Sequence, residues 1–307
     1  MIVSTRNTWL HTLFQVRGST IVRTWRRLLL AVGVAVVVTY LHESYLKDSA
    51  ILEIDMTPFS LTGLALGIFL GFRNNTSYDR FWEGRKLWGR VVNASRTLTR
   101  QLLTLTRPAG AEFHRESVYR LIAYVHALRL HLRNSDDHGQ LSEFLPADEL
   151  AALKGESNVP IAILQTMGER FRDVWDEGHV DAFHLPILEG SLTELAGVQG
   201  GCERIRATPI PFSYSVLLHR IVAVYCLTLP FGLVASTGVL TPFVVLLISY
   251  AFFGLDAVGE EIEDPFGFDP NDLPLDAITR MIEVNLRQRL GETELPALLK
   301  PERNVLT

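Results

Sequence analysis

Apolar residues along this chain are bunched into four stretches. The first is Ile21 to Leu41, whose centre from Leu28 to Val38 carries no polar side chain. The second is Pro58 to Phe72, PFSLTGLALGIFLGF, which has no charge. A third runs from about Phe212 to Val234 and a fourth from about Val239 to Gly254. Their uncharged cores are about 14 to 17 residues, shorter than the roughly 20 of a lipid-facing helix. Buried core helices of a soluble protein compete with spans completed by amphipathic flanks. Short links join the stretches in pairs on either side of a polar middle, and that arrangement favours two membrane hairpins. A cleaved signal peptide is the other reading of the first stretch, but HESYLKDSA after it lacks a small-x-small cleavage site.

Charge then sets the orientation. Arg17, Arg23, Arg26 and Arg27 flank the first stretch, while the link from His42 to Asp55 sets Glu43, Asp48, Glu53 and Asp55 against Lys47. After the second stretch come Arg73, Arg80, Arg85, Lys86, Arg90, Arg96, Arg100 and Arg107. The excess of basic residues on one side predicts cytoplasmic amino and carboxyl termini, with a cytoplasmic middle of about 140 residues. The expected organisation is residues 1–72 as an arm and first hairpin, 73–211 as a helical cytoplasmic region, 212–255 as a second hairpin, and 256–307 as an acidic collar and cytoplasmic tail.

The middle reads as helical. Leu87, Val91, Ala94, Leu98, Gln101 and Leu105 recur at three and four, as do Val118, Leu121, Ile122, Val125, Leu128 and Leu132. Asn134 to Gly139 ends the latter helix. Asp148 is expected to cap a short helix, and Pro160 to sit in the first turn of the next, Ile161 to Val174. A further helix covers Pro186 to Arg206. No strand alternation appears, so the fold class is all-α.

Composition narrows the function. Apolar residues are 48% and charged ones 21%, with a mean hydropathy of +0.18, as expected of a membrane protein with a large polar part. A net charge of −5 and a pI near 6.0 argue against a general nucleic-acid binder. Cys202 and Cys226 have no CxxC partner. There is no HExxH, GxSxG or P-loop, and no enzyme is expected. A secondary transporter needs inverted repeats and broken mid-membrane helices, neither of which is evident.

Three local patterns carry candidate chemistry. Gly63, Gly67 and Gly71 stack on one helix face and admit another backbone. Leu64, Ile68 and Phe72 stack on the adjacent face, as ordinary packing or as an apolar constriction that gates by dewetting. Periodicity alone leaves both readings open. After them, RNNTSYDRFWEGRKLWGRV interleaves five basic residues with aromatics, the composition of an interfacial belt. The stretch from Asp256 to Asp276 holds eight carboxylates and no basic residue. It is either a solvated loop or a hard-cation site, without EF-hand spacing. His219 and Arg220, a few residues into the third stretch, either snorkel to the interface or pair within the bundle.

FLGFRNNTSYDRFWEGRKLWG, QGGCERIRATPIPFSY and GEEIEDPFGFDPNDLPLD, in that order, resemble the bestrophin family of ion channels in its bacterial branch. The resemblance runs from the first apolar stretch to about Leu290. It implies a mostly helical homopentamer in the lipid bilayer, in a bacterial inner membrane, with one central pore. Matching Arg80-Phe81-Trp82 to the family's Arg-Trp-Trp places Leu64, Ile68 and Phe72 on the pore neck. Matching Leu185-Pro186-Ile187 to the family's Asp-Pro-Ile places Ile187, with Leu188 close behind, at a cytoplasmic aperture. The calcium clasp of animal members corresponds to Asp264-Pro265-Phe266-Gly267 and the following residues. Here Pro270 and Asn271 interrupt the acidic run, which leaves Asp264, Asp269 and Asp272 as at most a weak calcium site, and no cofactor is required. Animal members imply passage of chloride and other small anions, bacterial relatives monovalent cations. A non-conducting scaffold that binds a soluble cytoplasmic partner is the alternative of another class.

Overall fold

The computed structural model describes residues 1–2, 18–46, 55–302 and 304–306. Arg17 and the charged link residues Lys47, Asp48 and Glu53 lie outside the described residues. The α-helices are α1 (Ile21–Leu41), α2 (Thr57–Leu105), α3 (Gly110–Leu132), α4 (Ala147–Ala152), α5 (Val159–Asp176), α6 (Leu185–Ala207), α7 (Phe212–Thr237), α8 (Thr241–Glu261) and α9 (Leu275–Arg289). Apart from isolated bridges at Ile2–Val305 and Glu302–Val305, the described residues pair no strands. The chain divides into two compact units, one of Ser4–Phe81 with Pro209–Asp264, the other of Met1–Val3, Trp82–Thr208 and Pro265–Thr307.

The first unit packs α1, α7 and α8 against one another. Leu28, Ala31 and Ala35 of α1 meet Val222, Cys226 and Leu229 of α7 and Val245 and Phe253 of α8, with Leu66 and Leu70 from α2. The α1 and α7 sets recur at three and four, and the α2 and α8 pairs are four and eight apart, so each helix turns one stripe inward. Small side chains on α1 allow close approach. Phe212–Glu261, 50 residues, is long and apolar enough to cross a membrane. At 1.5 Å per residue it would extend about 75 Å, more than twice a hydrocarbon core. Instead α7 and α8 fold back on one another through the 3-10 turn Gly238–Leu240. Gly238, with φ +49°, supplies the reversal. The hydroxyls of Thr237 and Thr241 donate to the carbonyls of Leu233 (2.9 Å) and Gly238 (2.6 Å), satisfying acceptors at the helix end.

In the second unit α3 is the centre, contacted by α5, α6 and α9. Val118, Leu121, Ile122, Val125 and Leu128 have no exposed surface. Full burial of such side chains, relative to exposure in water, stabilises by about 1.5–3 kcal/mol each. Two arginines on α3 and one directly after it are bonded at its edges. Arg120 reaches Glu149 and Glu116, and Arg129 and Arg133 both reach Asp276, at 2.9 and 2.7 Å. Arg133 also lies 4.4 Å above the Phe268 ring.

One helix cap departs from expectation, and the Pro160 placement holds. Pro146, not Asp148, precedes the first turn of α4, because its extended ψ of 153° sets the entry. Asp148 lies inside that turn, where a carboxylate still meets the positive end of the helix dipole. The α5 cap is Asn158, whose side-chain oxygen accepts the Ile161 N–H, with Pro160 in the first turn.

Candidate functional site

Within the first unit, α2 presents two opposite faces. Leu66, Leu70, Arg73 and Ser77 recur at three and four and are buried. At 100° per residue, Leu64, Ile68 and Phe72 fall on the far side, and they are 66%, 51% and 63% exposed. The three expected neck residues therefore share a face that the rest of the chain leaves open. The glycines between the two faces differ in their surroundings. A Cβ on Gly63 would stand 2.5 Å from the Tyr225 hydroxyl, so that glycine admits a side chain of α7. Gly67 and Gly71 have nothing within 4 Å of that position.

Directly after Phe72, the helix is tied to α8 by polar groups. Arg73 Nη1 donates to Asp256 Oδ1 at 2.7 Å, and both side chains are 1% exposed. The other carboxylate oxygen of Asp256 lies 2.6 Å from His219 Nδ1 and 3.4 Å from Arg27 Nη1. Asn74 Nδ2 donates to the Leu255 carbonyl at 3.0 Å, and Arg80 Nε to the Glu263 carbonyl at 3.1 Å. Gly259 leaves the space that the Asn74 side chain occupies. Asp256 thus joins α1, α2, α7 and α8 through one buried carboxylate. A charge in such a place needs partners on several sides, and it has them.

The apolar stretches of the four helices end at this layer of charge. Arg27 precedes Leu28, Arg73 follows Phe72, Arg220 precedes Ile221, and Asp256 follows Leu255. Of the two readings of His219 and Arg220, pairing describes His219. Arg220 is exposed and makes no ion pair or hydrogen bond among the described residues. The hub at Asp256 went unread in the sequence, where its members appear as belt arginines and one carboxylate of an acidic run. The available signal was opposite charges at matching ends of apolar stretches.

In the second unit, Ile187 is 45% exposed at the start of α6, whereas Leu188 is fully buried. Adjacent helical residues are 100° apart, so only Ile187 of the pair offers a side chain at the surface. Leu188 packs the core, which corrects its placement beside Ile187 at an aperture. Phe183, just before α6 and not singled out by its sequence context, is 85% exposed.

The collar's motif is used for packing. Phe266 is fully buried against Gly84, where a Cβ would come within 3.1 Å of the ring. Asp272 Oδ2 accepts the backbone N–H of Asp269 at 2.7 Å and so closes its own turn. Among the described residues, no group of three or more His, Cys, Asp or Glu side chains is placed to hold a metal ion. Asp264, Asp269 and Asp272 are thus not gathered into a metal-binding group.

The sequence pattern described as Bacterial/Fungal Bestrophin protein matches residues 1–288. The chain belongs to the bestrophin family. This bestrophin is 42% identical over 296 residues to the voltage-dependent anion channel-forming protein RSc3414 of Ralstonia nicotianae, covering 96% of both chains. It is 40% identical over 304 residues to the voltage-dependent anion channel-forming protein YneE of Escherichia coli K12, covering 99% of both. A crystal structure of a mutant bacterial bestrophin homologue from Klebsiella pneumoniae is similar to it with a TM-score of 0.83 and 40% identity. That match covers 88% of this chain and all of the other. This bestrophin is accordingly an all-helical bacterial membrane protein.

Proposed function

We propose that this bestrophin assembles as a homopentamer and passes small monovalent anions through an apolar neck of Leu64, Ile68 and Phe72. Four spans, α1, the first part of α2, α7 and α8, cross the inner membrane, with both termini and the α3–α6 region in the cytoplasm. Ile187 lines a second narrowing at the exit. The channel is not an enzyme, and neither a cofactor nor calcium is required.

The observation that carries this reading is the apolar stripe on the open face of a helix anchored by its other face. One copy cannot enclose a pore. A ring of copies related head to tail does so, and it turns each of the three side chains into a constriction. The relatives' names as anion channel-forming proteins support the sign of the permeant ion.

Reversal potentials of the purified protein in bilayers with asymmetric potassium chloride test the proposal. A reversal near the chloride equilibrium potential is expected. One near the potassium potential favours the second reading, a monovalent cation channel. The exposed carboxylate of Asp79 lends weight to that reading, since it lies seven residues after Phe72 on the same helix face. Asp79→Asn would then weaken cation preference. Absence of any current from correctly assembled protein leaves the non-conducting scaffold.

A further inference from the structure

Two features of the second unit are left unused by its own packing. Phe183, just before α6, is 85% exposed. The loop that carries it is fixed: the Phe183 N–H donates to Asp181 Oδ1 at 2.8 Å, and the His184 N–H to the Asp181 carbonyl at 2.9 Å. An aromatic residue is thus held outward at a set place. The second feature is a cavity of 430 Å³ between the ends of α2 and α9. Arg96, Arg100, Leu103, Leu286, Gln288 and Arg289 are among its walls.

The cavity combines cations with apolar walls, and among the described residues no carboxylate lines it. Asn285 Oδ1 orients Arg96 by accepting from its Nε at 3.2 Å and its Nη2 at 2.6 Å. Arg100 and Arg289 meet no carboxylate among the described residues, whereas Arg90, Arg120, Arg129 and Arg133 of the same unit each do. Water satisfies exposed arginines, so their charge alone names no occupant. Leu103 and Leu286 narrow the choice to an apolar group. Arginines beside it favour an aromatic ring flanked by carboxylates.

Phe183, between the exposed carboxylates of Asp181 and Glu189, has that chemistry. Ser191 Oγ donates to Gln101 Oε1 at 2.7 Å, so α6 starts beside the end of α2. Ring and cavity therefore lie at the same end of the unit. They lie on different flanks of α2, because Gln101, which meets α6, is about 140° around the helix from Arg96, which meets α9. A projection and a recess so placed meet between copies related head to tail, the contact that closes rings. We propose that Phe183 of one copy seats in the α2–α9 cavity of the next, with Asp181 and Glu189 facing Arg100 and Arg289. This contact rests on the pentameric reading and gives it an anchor, an aromatic side chain in a pocket rimmed by arginines. The cavity is complete only with the ring of the neighbouring copy.

Cysteine pairs in the full chain, oxidised in native membranes, test it. Phe183→Cys combined with Gln288→Cys or with Thr104→Cys is expected to give a ladder of disulfide-linked copies. Cys202 and Cys226 are buried and supply no background. In native mass spectrometry, Phe183→Ala is expected to lose the pentamer at a temperature where wild type and Phe183→Tyr retain it. Absence of a ladder from both pairs, or a Phe183→Ala pentamer as heat-resistant as wild type, overturns the proposal. So does cross-linking by Phe183→Cys alone, because the ring then faces its own counterpart. Pyrophosphate that raises the unfolding temperature of wild type but not of Arg100→Gln also overturns it, since a free anion then fills the cavity. Wild type found only as monomers and dimers sinks the pentameric reading. A wild-type pentamer without cross-links sinks this contact alone.

Discussion

Arg73 meets Asp256 in a buried ion pair, 2.7 Å long, one residue beyond the last apolar side chain of the proposed neck. The pair fixes α2 to α8 at the level where the constriction ends. Removing the carboxylate leaves the Arg73 guanidinium buried without a counter-charge, and Arg27 and His219 lose the same partner. Asp256→Asn is expected to destabilise the protein by about 3–5 kcal/mol, the cost of breaking a buried pair from one side. Thermal unfolding in detergent measures it. Wild-type stability in this variant would show that water reaches the hub and screens the charges.

The neck is sensitive to size. Leu64, Ile68 and Phe72 are successive turns of one face, about 6 Å apart, and in the proposed pentamer they would form an apolar tube on the order of 12 Å long. An ion inside loses hydration and gains no ligand. Ile68→Ala is expected to raise conductance or open probability and leave the reversal potential unchanged. A buried packing role instead predicts a stability loss of about 2–5 kcal/mol with unaltered current. Single-channel recording and thermal unfolding of the same variant tell these apart.

Helix positions were legible in the sequence wherever burial was periodic. The stripe from Val118 to Leu132 marks α3, whose face is buried throughout. The exposed apolar face of α2 was also readable, because Leu64, Ile68 and Phe72 repeat at four. What periodicity alone cannot supply is which of two faces is anchored, since both faces of α2 in this region are apolar. That choice is made by Arg73 and by Tyr225 against Gly63, which are tertiary contacts. Leu188 illustrates the same limit: a one-residue step decides between core and surface, and motif matching does not resolve it.

The two cysteines have no shared chemistry. Cys202 is fully buried on α6, and burial pushes its thiol up to about 12. Its thiolate is negligible near neutral pH, and thiolate is the nucleophile. Iodoacetamide is expected to leave Cys202 unmodified in the folded protein and to label it once denaturant is added. Mass spectrometry of the peptide containing it checks this. Fast labelling under native conditions would mean that α6 opens locally.

Acid is expected to act on the second unit through Glu283, which is 1% exposed on α9. Burial alone would raise its pKa, but His126 Nε2 at 3.2 Å, Arg280 at 3.3 Å and Arg287 at 3.3 Å outweigh burial and hold it below 4.5. A carboxyl depressed in the folded state adds stability above its unfolded value, and loses it as pH falls through the lower folded value. Its contribution should therefore decline as pH falls below about 4. Glu283→Gln removes the charge at every pH and keeps the shape. The expected cost near neutrality is about 2 kcal/mol, limited because Arg280 and Arg287 are partly exposed and water screens them. The decisive quantity is the difference between wild type and variant, measured by denaturant unfolding as pH is lowered. General acid unfolding by other carboxylates lowers both proteins equally and leaves the difference intact. If Glu283 is the responsive group, the difference shrinks toward zero as the wild-type carboxylate takes up its proton, and a constant difference would refute that assignment.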